Sequence, residues 1–142
     1  MNIATLNIND LSIGDRFSFD KIITTKMVDD FAKLSGDFSP LHMQENFAKN
    51  RGFHSRVVHG TLLLGLISRL IGMHFPGENA LLLSIAAQFV SPVHIDDKLH
   101  ISAIIDQISY STQTLIIKSK IKSTENIQQI HVKAKILVKL TH

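Results

Sequence analysis

The chain has 142 residues, a formal net charge of +3 and 44% hydrophobic residues, which fits a single domain with a core of its own. It contains no cysteine, which excludes disulfides and thiolate metal sites, and no apolar run reaches the roughly 18 residues of a membrane-spanning helix. Its basic residues are scattered and lack interleaved aromatic side chains, which argues against nucleic-acid binding.

The first third of the chain predicts one strand and two helices. The N-terminal segment has neither a basic head nor a long apolar stretch, so we expect no secretory signal and a cytoplasmic location. The alternation in "RFSFDKII", which starts at Arg16, predicts a strand. The segment "TTKMVDDFAKLSG" predicts a helix that is capped by Thr25 and stops at Gly36. A short helix is predicted for "HMQENFAKN" and a loop for "RGFHSR".

The remainder predicts one buried helix followed by four strands. The segment "HGTLLLGLISRLIGMHF" is apolar on nearly every side, as a buried helix is, and Pro76 and Gly77 end it. The strands are "ALLLSIAAQFV", "KLHISAIIDQIS", "QTLIIKSKIKS" and "QIHVKAKILVKL". The last two alternate like half-exposed antiparallel strands, whereas the first is apolar on both faces, so we expect it centrally, against the helix. The predicted fold class is α+β, a twisted antiparallel sheet wrapped around one long helix, in one domain over residues 1–142.

The polar stretch "SGDFSPLH" holds Asp37 and His42 five residues apart, across Pro40. A carboxylate and an imidazole on a stiff loop can together hold a water, take a proton from it and return a proton elsewhere. The alternative is that Asp37 caps a turn and His42 caps the next helix. The residues alone leave both interpretations open.

Gly60 stands where the buried helix should begin. The first turn of a helix has free N–H groups and a partial positive charge, so a glycine there suits the oxygen of a carbonyl that gains charge. The simpler interpretation is close packing where the helix meets the sheet. Ser68 lies eight residues on, about two turns along nearly the same face. Its hydroxyl either bonds back to its own helix or faces a polar cavity shared with the Asp37 and His42 side chains.

A metal site built from Asp37, His42, His54 and His59 is conceivable, but the spacing fits no compact ligand motif. We expect His59 to have a structural role, with its ring fixing the loop before the buried helix.

The ordered motifs resemble one known family. "SGDFSPLHMQENFA", "GFHSRVVHGTLLLGLISRLIG", "FPG" and "QFVSPVHIDDKL" together resemble the MaoC-like (R)-specific enoyl-CoA hydratases, a branch of the hotdog-fold superfamily. The resemblance implies a hotdog fold and homodimers or larger assemblies with an acyl tunnel near the subunit interface. It implies no metal or redox cofactor, and the lack of a long apolar run argues separately against a membrane partner.

The resemblance also implies roles for four residues. Asp37 and His42 match the catalytic pair that binds and activates water. Gly60 matches the glycine whose N–H contacts the thioester carbonyl, and Ser68 matches a helix serine near that pair in some members.

This chain departs from the family's pattern at several places. The family most often has Asn at Ser39, a carboxylate at Gln44, Gly at His54, Pro at Arg56 and Gly at Asp96. We expect His54 and Arg56 to alter the tunnel mouth or the substrate carrier that it accepts.

The implied activity is that of a hydro-lyase, the reversible hydration of a trans-2-enoyl thioester of coenzyme A or acyl carrier protein to a 3R-hydroxyacyl thioester. Two alternatives stay open. One is a 3-hydroxyacyl carrier-protein dehydratase or a thioesterase on the same fold, and the other is a noncatalytic subunit that binds acyl thioesters. The sequence does not fix the length of the acyl chain.

Overall fold

The computed structural model describes residues 2–141. Within this range a 3₁₀ turn, Ile8–Asp10, precedes the main elements. These are, in chain order, β1 (Arg16–Ile22), α1 (Thr25–Ser35), α2 (Pro40–Met43), α3 (Glu45–Asn50), α4 (Gly60–Arg69), a π-helical turn (Leu70–His74), β2 (Ala80–Phe89), β3 (Lys98–Ser109), β4 (Thr114–Ser123) and β5 (Ile130–Leu140). No helix in this range is both long and apolar enough to cross a membrane.

The five strands form one antiparallel sheet in the order β1-β3-β4-β5-β2. Alternate side chains of β3, β4 and β5 are buried, so one face of the sheet carries the core and the other faces outward. Lys118 and Lys120 of β4 are on the outer face, as the alternation in "KSKIKS" predicted.

Helix α4 packs on the inner face of the sheet, and the predicted hotdog arrangement is confirmed. Leu63 and Ile67 of α4 belong to the same buried cluster as Ile101, Ile117 and Ile136 of the strands. The helix is not apolar all round, however. One stripe along α4 and the π-helical turn is exposed and consists of small residues: Thr61, Gly65, Ser68 and Gly72.

The predicted central position of β2 is wrong. Strand β2 is at an edge of the sheet and pairs only with β5. Several large apolar side chains along it and just after it are exposed by 40% or more: Leu81, Leu82, Leu83, Phe89 and Val90. A strand that is apolar on both faces predicts burial on both faces, but the other residues between positions 2 and 141 do not cover the second face.

Two helix boundaries also differ from prediction. The cap of α1 is Thr24, whose Oγ1 accepts the N–H of Met27 at 3.2 Å, and not Thr25. The segment after Pro40 forms two short helices, α2 and α3, which meet at Gln44. The predicted stop of α1 at Gly36 is confirmed, because Gly36 is the C-cap and has a left-handed φ of 77°.

Candidate active site

The Asp37 turn is built by local backbone chemistry. Gly36 reverses the chain at the end of α1, and the next residue, Asp37, accepts the N–H of Ser39 on its Oδ1 at 3.1 Å. Pro40 then opens α2, where its fixed φ suits the first helical position. His42 follows in the same helix, so the two predicted side chains are held by one short and stiff segment.

His42 is fixed in one tautomer by the backbone. Its Nδ1 lies 2.7 Å from the carbonyl oxygen of Val57 and must donate to that oxygen. In a neutral ring the lone pair is then on Nε2. That nitrogen is 3.8 Å from Oδ2 of Asp37, and the two side chains are 16% and 50% exposed.

Both interpretations of Asp37 hold in part. Oδ1 caps the turn, which leaves Oδ2 free to face the imidazole. His42 is not a helix cap, because Ser39 and Gln44 have that position for α2 and α3. A separation of 3.8 Å is too long for a direct hydrogen bond, but a water oxygen about 2.8 Å from each atom fits between them.

Gly60 is the first residue of α4, so its N–H has no acceptor within the helix. His42 and Gly60 line one open cavity of about 380 Å³, a size that accepts small ligands. Its other walls are mostly apolar: Val57, Val58, Leu63, Phe89, Val90, Ser91, Pro92 and Val93. Asp37 is not in this wall, but its Oδ2 lies 3.8 Å from Nε2 of His42, which is in the wall.

The glycine at position 60 also has a packing reason. A Cβ built there would lie 2.9 Å from Cε1 of Phe89, closer than side-chain carbons approach. The Phe89 ring therefore rests on the start of α4, and any larger residue at position 60 would displace it. Close packing and contact with a carbonyl oxygen can both explain the glycine, since each requires a backbone without a side chain.

His59 makes more contacts with the site than its sequence position indicated. It is buried, and its Nε2 donates to the carbonyl oxygen of Asp37 at 3.0 Å. Its ring stacks on that of His42, with centroids 4.0 Å apart and planes at 28°. His59 thus fixes the backbone of one member of the pair and the ring of the other. The predicted structural role in the loop before α4 understates these contacts.

Asp37, His42 and His59 place one possible ligand atom each within 4.8 Å of one another. A metal needs nitrogen lone pairs that converge on it, and each lone pair lies in the plane of its ring. The planes of His42 and His59 are stacked, and Nε2 of His59 is engaged by Asp37. His54 is elsewhere, stacked on His94 with centroids 3.6 Å apart. The four-residue metal set considered from the sequence is therefore not assembled.

Ser68 is not brought into the same cavity wall as His42 and Gly60. It is on the exposed stripe of α4, about 12 Å along the axis from Gly60, and is not among the residues lining the cavity. Its role as a substrate-binding residue stays a prediction of the resemblance.

Comparison with known proteins identifies relatives of one kind. The profile of the family described as "MaoC like domain" matches residues 10–133. The chain is 36% identical over 95 residues to a 3-hydroxybutyryl-CoA dehydratase of Methylorubrum extorquens, which covers 67% of this chain and 60% of the relative. It is 35% identical over 89 residues to a mitochondrial 3-hydroxyacyl-[acyl-carrier-protein] dehydratase of Arabidopsis thaliana, over 63% of this chain and 52% of that one.

A third relative is matched over more of its own length. An (R)-specific enoyl-CoA hydratase of Aeromonas caviae is 34% identical over 94 residues, which are 66% of this chain and 70% of the relative. The first two relatives are matched over only 60% and 52% of their own lengths.

The fold comparison agrees with the sequence comparison. An (R)-hydratase structure from A. caviae superposes with a TM-score of 0.86 at 28% identity, over 92% of this chain and 97% of that one. An R-hydratase structure from Pseudomonas aeruginosa superposes with a TM-score of 0.90 at 21% identity, over 97% and 87% of the two chains. With the profile match over most of its length, the chain belongs to the MaoC-like domain family and has the hotdog fold.

Proposed function

We propose that the protein catalyses the reversible hydration of a trans-2-enoyl thioester to a 3R-hydroxyacyl thioester. One observation carries the proposal: Nε2 of His42 lies 3.8 Å from Oδ2 of Asp37, and His42 lines a cavity together with Gly60, the first residue of α4. The names of the relatives, enoyl-CoA hydratase and hydroxyacyl dehydratases, describe the two directions of this chemistry.

The pair of side chains handles the protons. A water held between Nε2 of His42 and Oδ2 of Asp37 gives one proton to the pair while its oxygen bonds to C3 of the alkene. The pair then passes a proton to C2. One water thus adds across the double bond as H and OH, and both side chains return to their starting state. A positioned acid–base group of this kind contributes about 10²–10⁴-fold in rate.

The thioester oxygen gains negative charge when the alkene is attacked. We assign its stabilisation to the N–H of Gly60, which is free at the first turn of α4. Removing a donor of this kind costs about 10²–10³-fold in turnover. Ser68 remains a candidate for contact with the substrate or with a second subunit, on the resemblance and on its exposed position.

The test is to substitute each member of the pair conservatively. We expect Asp37→Asn and His42→Gln each to lower the hydration of crotonyl-CoA by at least about 10²-fold, because each removes a proton acceptor. The reaction is followed by loss of the enoyl thioester absorbance. Thermal unfolding checks that both variants fold.

The chain offers a matched control. Asp20 and His100 form a shorter pair, 2.6 Å apart, on the outer face of the sheet. His100 lines a groove of about 660 Å³ that is larger than the cavity at the Asp37 pair but is walled by strand residues and lysines, with no helix terminus. Asp20→Asn and His100→Gln should keep full activity. Normal turnover by the Asp37→Asn protein would refute the assignment.

The same assay separates the alternative activities. A thioesterase would release free thiol, whereas a hydratase leaves the thioester bond intact. A noncatalytic subunit would bind acyl thioesters and leave them unchanged. Presenting short, medium and long enoyl groups on both coenzyme A and acyl carrier protein identifies the carrier and the chain length.

We also propose that the protein works as a homodimer joined along β2. The two edges of the sheet differ in kind. Strand β1 presents Arg16 and Asp20 at its exposed positions, and charges of this kind discourage pairing with another strand. Strand β2 has ten residues, none of them charged, and exposes several leucines. A long uncharged edge beside the exposed small-residue stripe of α4 favours a second copy as the cover.

The proposal includes a single domain over residues 1–142 and a cytoplasmic location. The complete lack of cysteine is compatible with a reducing compartment.

A further inference from the structure

Arg56 is a charged side chain whose guanidinium nitrogens contact residues next to the Asp37–His42 pair. It is only 13% exposed, and its Nε donates to the carbonyl oxygen of His42 at 2.5 Å. Its Nη2 donates to Oδ1 of Asp29 at 2.6 Å and approaches Sδ of Met43 at 3.6 Å. Arg56 does not line the cavity, and its effect on the tunnel mouth or on the substrate carrier stays a prediction.

These contacts join the elements that carry the two members of the pair. Asp29 is in α1, the helix that ends two residues before Asp37, and His42 is in α2. One guanidinium therefore connects α1 to α2. A planar fork with several donors can hold two acceptors in a fixed relation, which a flexible ammonium cannot do.

The backbone beside Arg56 holds the same histidine from the other side. The N–H of Val57 donates to the carbonyl of Leu41 at 3.1 Å, and the carbonyl of Val57 accepts Nδ1 of His42. The next residue, Val58, donates to the carbonyl of Val93 at 2.7 Å, which anchors the whole segment to the cavity wall. The segment from position 56 to position 58 thus holds His42 through three contacts. They are made with the backbone carbonyl of His42, with its ring and with the carbonyl of the residue that precedes it.

We propose that Arg56 is a positioning residue that sets the distance and direction between Asp37 and His42 by clamping α1 to α2. This inference rests on the proposed function. Without the guanidinium, the turn of α2 that carries His42 loses its side-chain tie to α1, and one restraint on the position of Nε2 relative to Oδ2 of Asp37 is lost. A displacement of about 1 Å at a reacting group can cost about 10²-fold in rate.

The first experiment separates turnover from binding. Arg56→Met keeps a long apolar stem and removes the donors. We expect its kcat for crotonyl-CoA to fall by about 10–10²-fold while KM changes by less than about threefold, because the cavity wall is intact. Arg56→Lys restores a cation without the fork and should recover part of the loss. Arg51→Met is the matched control, since Arg51 lies over the exposed face of Phe47 and does not touch the pair, and it should behave as wild type.

The second experiment tests the path through Asp29. Asp29→Ala removes the acceptor and should lower kcat in the same direction, and it should add little in the Arg56→Met background because both changes break one connection. Equal and independent losses would contradict a shared clamp. Asp29 is 40% exposed, so its variant supplies a folded test protein if Arg56→Met fails to fold.

A third measurement does not depend on turnover. The ¹⁵N chemical shifts of the His42 ring report which nitrogen carries the proton. We expect one Nδ1–H tautomer in the wild type and a mixture in Arg56→Met, because the loss of the Arg56 contacts also loosens the adjacent Val57, whose carbonyl selects the tautomer. An unchanged tautomer together with wild-type kcat would overturn the clamp. Failure of the wild type to hydrate any enoyl thioester would instead refute the proposed function and leave the tautomer result to decide on Arg56.

Discussion

His94 is a buried imidazole close to the site but outside the proposed chemistry. It stacks on His54, and its Nε2 has no hydrogen-bond partner among the described residues. Its backbone bridges to Val57, whose carbonyl orients His42. Burial first, and then the neighbouring His54, lowers the pKa of His94 below its ordinary value of 6.5, while Asp97 opposes the shift.

The lowered pKa makes stability depend on pH in a defined direction. Below pH 6.5 the unfolded chain binds a proton at His94 more readily than the folded chain does, so stability is lost as the pH falls through and below that value. His94→Phe keeps a flat ring and removes the titration. We expect its free energy of unfolding to fall less than that of the wild type between about pH 7.5 and about pH 5.5.

Urea unfolding at both pH values measures the difference. Some dependence should remain in the variant, because burial and then Arg69 also lower the pKa of His74. If the free energy of unfolding of His94→Phe falls with pH as steeply as that of the wild type, then His94 does not contribute to the pH dependence.

Sequence predicted the parts of the site that are local in the chain. Asp37 and His42 stand on one turn, and Gly60 marks the start of a helix, so their types and spacing suggest chemistry. Arg56 and His59 act through backbone carbonyls, and a carbonyl is present at every position. Nothing in the sequence therefore indicates that Arg56 reaches the carbonyl of His42 or the Asp29 carboxylate, 27 residues away.

Strands β4 and β5 bring like charges directly opposite each other on the outer face. Lys118 is paired with Lys135, and Lys120 with Lys133. Lys118 has Asp106 at 3.6 Å, whereas Lys120 and Lys133 have no carboxylate within ion-pair distance in the described structure. Opposed like charges on neighbouring strands are destabilising.

Reversing one charge should therefore stabilise the sheet. We expect Lys120→Glu to raise the free energy of unfolding by about 0.2–1 kcal/mol, with a smaller gain at high salt. Lys118→Glu is the matched control and should gain less, because it places a second carboxylate beside Asp106. Denaturant midpoints at low and high salt measure both, and an equal effect of the two substitutions would exclude a local cross-strand cause.

The wrong position of β2 shows what a strand pattern can and cannot predict. The alternation of β4 and β5 predicted one solvent-exposed and one buried face, and the burial of their side chains alternates in this way. The apolar pattern of β2 predicts that both of its faces are buried, but it does not indicate whether the residues that bury them belong to the same chain or to another. Leu82 and Leu83 remain 40% and 50% exposed because no other element of residues 2–141 covers them.

The proposed dimer gives the prediction for the whole molecule. Leu83→Lys places a charge on the exposed edge strand and should convert a species of twice the chain mass into single chains, because burying an unpaired charge in an interface is costly. Ile127→Lys is the matched control, since Ile127 is 73% exposed in the β4–β5 connection, away from that edge. Sedimentation velocity distinguishes the two. A wild type that sediments as a single chain would contradict the proposal.

The strand edge and the cavity wall are one continuous piece of chain. Phe89 ends β2, and Val90, Ser91, Pro92 and Val93 follow it directly along the wall that also holds Gly60 and His42. If two copies meet along that strand, occupancy and association become linked equilibria. A bound thioester then strengthens the association of the subunits by the same factor by which association strengthens thioester binding. Dilution of the protein would therefore lower its affinity for substrate.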